Sequence, residues 1–148
     1  MRVGLISDTH GLLRPEALKF LRGADYIIHA GDVGAPEILE ELKALAPITA
    51  VRGNNDTGRW ARRVPLAADL VLGRIAIRVV HEIDHLPKAI KARVVIYGHS
   101  HKPLIKENDG VLYVNPGSAG PRRFTLPIAV GELKIERGAV RARIKELA

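Results

Sequence analysis

The first fifty residues alternate short apolar segments of β type with helical segments, and this alternation restricts the fold more than any other feature. Strands are predicted at residues 2–7, 25–30 and 47–51. Helices are predicted between them, at residues 14–21 and 35–45, because each segment has a proline near its start and repeats apolar residues at helical spacing. Strands joined by crossover helices pair in parallel. The sequence therefore predicts an α/β fold that begins with a parallel sheet.

The second half of the chain instead predicts strands that are joined by tight turns. One strand is expected at residues 94–97, and three hairpins accompany it. The hairpins pair residues 69–72 with 75–80 across Gly73-Arg74, 104–106 with 111–114 across Asn108-Asp109-Gly110, and 127–135 with 139–144 across Glu136-Arg137-Gly138. A glycine beside a polar residue between two apolar segments is typical of such turns. The length and the lack of repeats predict a single domain over residues 1–148.

Composition excludes several classes of protein. The chain has no cysteine, so disulfides and thiolate metal sites are ruled out. It also lacks an apolar run of the roughly 20 residues that a membrane span needs. Cleavage of a signal peptide would remove Asp8 and His10, which predicts a cytoplasmic location. The net charge of +7 suits an anionic partner, but the basic residues are spread along the chain, so nucleic acid is a possible partner that is not favoured.

Polar side chains that can bind metal ions follow directly after five of the predicted strands. They are Asp8 and His10 after the first strand, Asp32 after the second, Asn54 after the third, His81 after residues 75–80, and His99 and His101 after residues 94–97. In open α/β sheets, ligands bind at the carboxyl ends of the strands. Glycines 31, 53 and 98 precede several of these residues and allow tight turns and close approach of the backbone. The sequence thus predicts one site built from five strand ends.

The chemistry of these side chains indicates divalent metal ions. Carboxylate and amide oxygens together with imidazole nitrogens suit Mn²⁺, Fe²⁺, Zn²⁺, Co²⁺ and Ni²⁺, and Mn²⁺ is the expected ion among them. The seven residues are too many for one ordinary site but fit two ions that share a carboxylate, for which Asp32 is the best candidate. Two ions roughly 3.5–4 Å apart form the usual arrangement for activating water and holding a phosphoryl group.

The series of motifs resembles the calcineurin-like metallophosphoesterase superfamily. The motifs are Asp8-Thr9-His10, Gly31-Asp32, Gly53-Asn54, His81 and Gly98-His99-Ser100-His101. The short chain and the segment Asn115-Pro116-Gly117-Ser118 resemble the small prokaryotic phosphodiesterase branch of that superfamily. The resemblance covers residues from about 3 to 120. It implies a four-layer α/β/β/α sandwich of two mixed sheets with a dinuclear metal site between the sheets.

The resemblance also implies a role for each ligand residue. It assigns Asp8, His10, Asp32 and His101 to one metal ion, and Asp32, Asn54, His81 and His99 to the other. The implied activity is that of a phosphodiesterase acting on a small phosphate ester, in which a hydroxide between the two ions attacks phosphorus. Asp32, Asn54 and His81 are the catalytic residues in this interpretation.

Two positions depart from the pattern of the family. Many members carry a histidine where this chain has Asn55, and an asparagine cannot protonate a leaving group because it does not titrate. A preference for good leaving groups, or an acid from elsewhere, is therefore expected. Glu82 stands where the family usually has glycine, and three outcomes are open: it points away, adds a ligand or weakens activity. Asn55, Arg122 and Arg123 are the candidate substrate contacts.

Other interpretations of the same residues stay open at this point. Asp32 could cap the helix after it, and His29 and His85, which belong to no motif, are expected to be a structural and a surface residue. The fold could also serve a catalytically weak or inactive protein-binding scaffold, as in the retromer-subunit branch of the superfamily, or a nuclease. A homo-oligomer is possible, although nothing in the sequence specifies how the chains would pair.

Overall fold

The computed structural model describes residues 1–87 and 90–147, which contain two five-stranded sheets and two α-helices. The helices are α1 (Pro15–Leu21) and α2 (Pro36–Lys43). The strands are β1 (Arg2–Ile6), β2 (Tyr26–His29), β3 (Ile48–Ala50), β4 (Ala67–Leu72), β5 (Ile75–Val80), β6 (Val94–Ile96), β7 (Leu104–Asn108), β8 (Val111–Asn115), β9 (Ala129–Glu136) and β10 (Ala139–Glu146). Short 3₁₀ turns at Trp60–Arg63 and Ile83–His85 were not predicted from the sequence.

Both sheets are mixed, as the resemblance implies. The first has the order β10-β9-β1-β2-β3, in which β1, β2 and β3 run parallel and β9 pairs antiparallel with β1. The second has the order β4-β5-β6-β8-β7, in which β5, β6 and β8 run parallel. The prediction of parallel strands first and hairpins later is confirmed, and the last hairpin returns to extend the first sheet.

Side-chain alternation along the strands explains how the layers pack. In β1, Leu5 points into the core between the two sheets, whereas Ile6 packs against the helices. The core between the sheets contains Val3, Ile28, Ile77, Ile96 and Leu133, all of them fully or almost fully buried. Because both faces of β1 are covered, the strand has no polar side chain from Val3 to Ile6, and each buried Leu or Ile stabilises the fold by about 1.5–3 kcal/mol.

The helices form the outer layer on the first sheet, and the predicted four-layer arrangement is confirmed. Leu21 of α1 and Leu42 of α2 are fully buried in the cluster beneath them. On the other side of the molecule, Val95 and Tyr97 of the second sheet are covered by Ile83 and its neighbours. Among the residues that the structure describes, this fourth layer contains only the 3₁₀ turn and the chain beside it, so it is thinner than the helical layer.

The three predicted hairpins are present, and each turns over two residues with positive φ. Gly73 and Arg74 have φ values of 53° and 69°, Asp109 and Gly110 have 50° and 77°, and Arg137 and Gly138 have 52° and 78°. Two successive positive φ values match the right-handed twist of a hairpin. The second and third turns are one residue shorter than predicted, because the flanking residue stays in its strand. None of the described helices is long and apolar enough to cross a membrane.

Candidate metal centre

The structure brings the seven predicted ligand residues together at the carboxyl ends of β1, β2, β3, β5 and β6. Parallel strands deliver their last residues to the same edge of a sheet, and the two sheets present these edges to each other. Each of the seven side chains lies within 4 Å of another through its ligand-type atoms. The seven residues are Asp8, His10, Asp32, Asn54, His81, His99 and His101.

One group of ligand atoms is formed by Asp8, His10 and His101. Oδ1 of Asp8 lies 3.4 Å from Nε2 of His101 and 3.9 Å from Nε2 of His10. Oδ1 of Asp8 and Nε2 of His10 are buried and lack a hydrogen-bond partner among the described residues. Buried polar atoms without a partner are rare and costly, and a cation between these atoms would satisfy them. The donor set therefore fits a divalent metal ion.

The other carboxylate oxygen of Asp8, Oδ2, accepts two hydrogen bonds. Ser7 Oγ donates to Oδ2 at 2.7 Å, and the backbone N–H of His99 donates to it at 3.2 Å. These two hydrogen bonds fix the orientation of the carboxylate, so that Oδ1 points at the imidazoles of His10 and His101. Oδ1 also lies 3.8 Å from Nε2 of His81, with which Asp8 and Asp32 form a further group of ligand atoms. Ser7 was missed in the sequence analysis, because a serine at the end of an apolar strand carries no distinctive signal.

A second group of ligand atoms is centred on His81. Its Nδ1–H donates to the carbonyl of Ala30 at 2.7 Å, because a carbonyl can only accept. Nε2 therefore faces the site, where it lies 3.2 Å from Oδ2 of Asp32 and 3.0 Å from Oδ1 of Asn54. The same Asn54 oxygen lies 3.2 Å from Nδ1 of His99. Oxygen and nitrogen atoms thus converge on a second position.

Asp32 lies between the two groups. Its Oδ2 is 3.6 Å from Nε2 of His10 in the first group and 3.2 Å from Nε2 of His81 in the second. The alternative role of Asp32 as a helix cap is not realised, because Ala35 is the N-cap residue of α2 and no side chain caps it. A carboxylate that faces both groups can be shared by two metal ions.

The electrostatics of the second group favour a cation there. Burial alone would lower the pKa of His81. The carboxylates of Asp32 and Asp8 and the carbonyl of Ala30 have a larger effect, so the pKa of His81 lies above its usual value. Burial raises the pKa of Asp32, but its contacts with His81 and Asn55 outweigh burial and hold it well below its usual range. Both directions show that the carboxylates favour positive charge at this position, which a bound divalent ion would supply.

Five of the seven ligand residues adopt a left-handed backbone. The φ values are 53° for Asp8, 47° for His10, 55° for Asp32, 73° for His99 and 62° for His101. This conformation costs of order 1–3 kcal/mol for each residue and persists only where the surrounding structure imposes it. Such strain clusters at functional sites, and it is carried here by the residues that the sequence analysis selected for their chemistry.

The glycines before the ligand residues are required by close approach, as predicted. A Cβ atom on Gly31 would lie 2.6 Å from Nδ1 of His81. A Cβ atom on Gly53 would overlap Oδ1 of Asp32, and Gly98 is confined in the same way by its neighbours. At each of these positions the glycine backbone lies close to a side chain from another strand end. The absence of a Cβ atom therefore allows two strand ends to meet.

Asp56 joins the loops that follow β2 and β3. Its carboxylate accepts hydrogen bonds from the backbone N–H groups of Val33, Gly34 and Gly53, at 3.1, 2.9 and 2.9 Å. The residue belongs to the Gly-Asn-Asn-Asp motif of the sequence, but the sequence analysis gave it no role. An aspartate in such a turn often accepts hydrogen bonds from backbone N–H groups. The turn motif could therefore have indicated this role for Asp56.

His29 supports the loop that carries Asp8 and His10, in agreement with the structural role predicted for it. Nδ1 of His29 accepts the N–H of Gly31 at 3.1 Å, so Nε2 carries the proton and donates to Thr9 Oγ1 at 2.9 Å. Thr9 Oγ1 in turn donates to the carbonyl of Val33 at 2.8 Å. Complete burial lowers the pKa of His29 to about 4, so the ring is neutral near pH 7.

The three candidate substrate contacts occupy different surroundings. The backbone N–H of Asn55 donates to Oδ1 of Asp32 at 2.9 Å, and its side-chain Nδ2 donates to Oδ2 at 3.1 Å. Arg122 and Arg123 are exposed, and the guanidinium group of neither forms a hydrogen bond or an ion pair with another described residue. Asn55 thus holds the carboxylate of Asp32, and substrate contact by all three residues stays a prediction.

Glu82 turns towards the site. Its Oε1 lies 3.3 Å from Nε2 of His99, and its Oε2 lies 3.2 Å from Nε2 of the exposed His85. A cavity of about 410 Å³ opens beside these residues and is lined in part by Asn54, His81 and Leu66. The glutamate therefore contacts one of the predicted ligands, although it does not itself belong to either group of ligand atoms.

Comparison with known proteins identifies the family. The family model described as the calcineurin-like phosphoesterase superfamily domain matches residues 1–138. The chain belongs to this superfamily, and at the level of the family this supports a phosphoester hydrolase that uses divalent metal ions.

Individual relatives agree with the family. A probable metallophosphoesterase of Methanothermobacter thermautotrophicus is 33% identical, over 97% of this chain and 91% of that protein. The crystal structure of an archaeal phosphodiesterase has a TM-score of 0.80 at 29% identity, covering 98% of this chain and all of that one. Vps29 of Chaetomium thermophilum has a TM-score of 0.79, covering 99% of this chain and 97% of that one. Its identity is 16%, so it shows the fold alone.

Proposed function

We propose that this protein is a phosphodiesterase that hydrolyses a small phosphate ester at a site holding two divalent metal ions, with Mn²⁺ as the expected ion. The observation that carries the proposal is the position of Asp32, whose carboxylate faces an imidazole of each ligand group. The unsatisfied buried atoms of Asp8 and His10 support it, because they need a cation.

Each ligand residue has a place in this proposal. Asp8, His10 and His101 hold one ion, Asn54, His81 and His99 hold the other, and Asp32 is shared. When bound, two such ions would supply Lewis-acid activation of water as the nucleophile towards phosphorus, which is the hydroxide chemistry that the resemblance implies. The protein contributes orientation: Ser7 fixes Asp8, the carbonyl of Ala30 fixes His81, and Asn55 fixes Asp32.

Asn55 cannot donate a proton to the leaving group. This residue donates from Nδ2 to Asp32 and does not exchange a proton near pH 7. An ester whose leaving group is stable as an anion, such as an aryl phosphodiester, is therefore the expected substrate class. A poor leaving group would have to collect its proton from water.

The alternatives receive less support. Seven chemically competent ligands favour catalysis over an inactive scaffold, and the similarity to Vps29 carries no functional argument at 16% identity. A nuclease would be favoured by a continuous basic surface, whereas the basic residues are spread along the chain.

The test is hydrolysis by chelator-stripped protein of an aryl phosphodiester and the matching monoester, with Mn²⁺, Fe²⁺, Zn²⁺, Co²⁺ or Ni²⁺ added back. Turnover of the diester is expected to return with metal, and to stay absent in Asp32→Ala and His99→Ala. Lys106→Ala, an exposed residue on β7, is the matched control and is expected to behave as wild type. Absence of turnover with every metal would contradict the proposal.

A further inference from the structure

Glu82 contacts His99, one of the predicted metal ligands. His99 presents two ring nitrogens to two different neighbours: Nδ1 lies 3.2 Å from Oδ1 of Asn54, and Nε2 lies 3.3 Å from Oε1 of Glu82. Only an unprotonated nitrogen can bind a metal ion. If Nδ1 is the ligand atom, a neutral imidazole must carry its proton on Nε2, where a carboxylate oxygen lies within hydrogen-bonding distance.

The two ring nitrogens of His81, on the other side of Asn54, also have separate roles. Its Nδ1–H is held by the carbonyl of Ala30, and its Nε2 faces Oδ1 of Asn54 at 3.0 Å. Histidines that bind metals generally donate their second N–H to a carbonyl or a carboxylate, which fixes the tautomer and the ring orientation. The acceptor for His81 is a backbone carbonyl, and the corresponding group beside His99 is Glu82.

We propose that Glu82 is a positioning residue that accepts the Nε2–H of His99 and so presents Nδ1 to the metal ion held with Asn54 and His81. The inference rests on the metal centre of the proposed function, but not on hydrolysis. It gives Glu82, which replaces the usual glycine of the family, a role in the site, because its carboxylate contacts two imidazoles.

His99 needs such support more than His81 does. The side chain of His99 is 47% exposed, whereas that of His81 is 4% exposed and held on all sides. An exposed ring samples other orientations unless a hydrogen bond restrains it. His85 lies beside the second oxygen of Glu82 on the exposed surface and touches neither ligand group, so it serves as a control.

The experiment measures metal binding and the tautomer of His99 without using turnover. Mn²⁺ affinities of both ions are measured by calorimetry for wild type, Glu82→Ala, Glu82→Gln and the control His85→Ala. Long-range ¹H–¹⁵N spectra of the Zn²⁺-loaded proteins then report which nitrogen of His99 carries the proton. We expect Glu82→Ala to weaken one of the two ions roughly 10–100-fold and to leave the other unchanged. Glutamine, which still offers an acceptor oxygen, recovers most of the affinity, and His85→Ala stays close to wild type.

Results of two kinds, on the tautomer and on the affinity, would overturn the inference. One is a proton on Nδ1 of His99 in the Zn²⁺-loaded wild type, because Nδ1 could then not be the ligand. The other is an unchanged affinity in Glu82→Ala, or a loss that glutamine does not recover, since the latter identifies a direct ligand. A protein with this binding pattern but no diesterase activity would refute the proposed function alone.

Discussion

Low pH should lower the free energy of unfolding of this protein through protonation of His29, which is not one of the predicted metal ligands. His29 is completely buried, and burial lowers its pKa from the usual 6.5 to about 4. Protonation would also break the hydrogen bond from the N–H of Gly31, because a doubly protonated imidazole has no acceptor atom. The unfolded chain takes up a proton near pH 6.5, whereas the native chain does so only near pH 4.

The size of this effect follows from the two pKa values. Each tenfold difference in proton affinity between the native and unfolded states is worth about 1.4 kcal/mol, so the change from 6.5 to about 4 corresponds to about 3 kcal/mol. This stability is fully present above pH 6.5 and is lost progressively as the pH falls from 6.5 towards 4. Below pH 4, His29 removes no further stability.

The assay is urea unfolding of the metal-free protein at a series of pH values between 8 and 3.5. The free energy of unfolding of His29→Gln should fall by about 3 kcal/mol less than that of wild type between pH 7 and pH 4. His85→Gln, which replaces an exposed histidine, is the control and should follow wild type. An NMR titration in which the ring of His29 protonates near pH 6.5, or identical pH profiles for wild type and His29→Gln, would refute the reasoning.

Three further predictions concern the site. Gly53→Ala forces a Cβ atom onto the carboxylate of Asp32, so urea unfolding should show a loss of about 1–3 kcal/mol, and calorimetry should show weaker metal binding. Asp56→Ala leaves three backbone N–H groups without their acceptor, so it should lower the free energy of unfolding by at least about 1–3 kcal/mol. A variant as stable as wild type would contradict the role given to Asp56. Mn²⁺ at 100 times its dissociation constant should raise the free energy of unfolding by about 2.7 kcal/mol per site in wild type, measured by urea unfolding, and should give little gain in Asp32→Ala.

The sequence was sufficient for the order of the elements and for the convergence of the predicted ligand residues at one place. Proline at the start of each helix, and glycine at the hairpin turns, gave the helix starts and turns to within a residue or so. The site could be predicted because parallel strands end at one edge, so residues far apart in the chain, such as Asp8 and His101, had to meet.

Other features could not be read from the sequence because they depend on tertiary contacts. Nothing local distinguishes Ser7 or His29, whose roles arise from the loops that pack against them. The left-handed backbone of the ligand residues is likewise imposed from outside, since aspartate and histidine do not favour it strongly enough to reveal it. The orientation of Glu82 was left open for the same reason: its partners, His99 and His85, are set by the fold.

The central claim is that these residues hold two metal ions with Asp32 between them. The most direct measurement is anomalous scattering from crystals of the protein grown with Mn²⁺. We expect two separate peaks, one beside Asp8, His10 and His101 and the other beside Asn54, His81 and His99, with the carboxylate of Asp32 contacting both. A single peak at saturating Mn²⁺, or two peaks of which Asp32 contacts only one, would contradict the account.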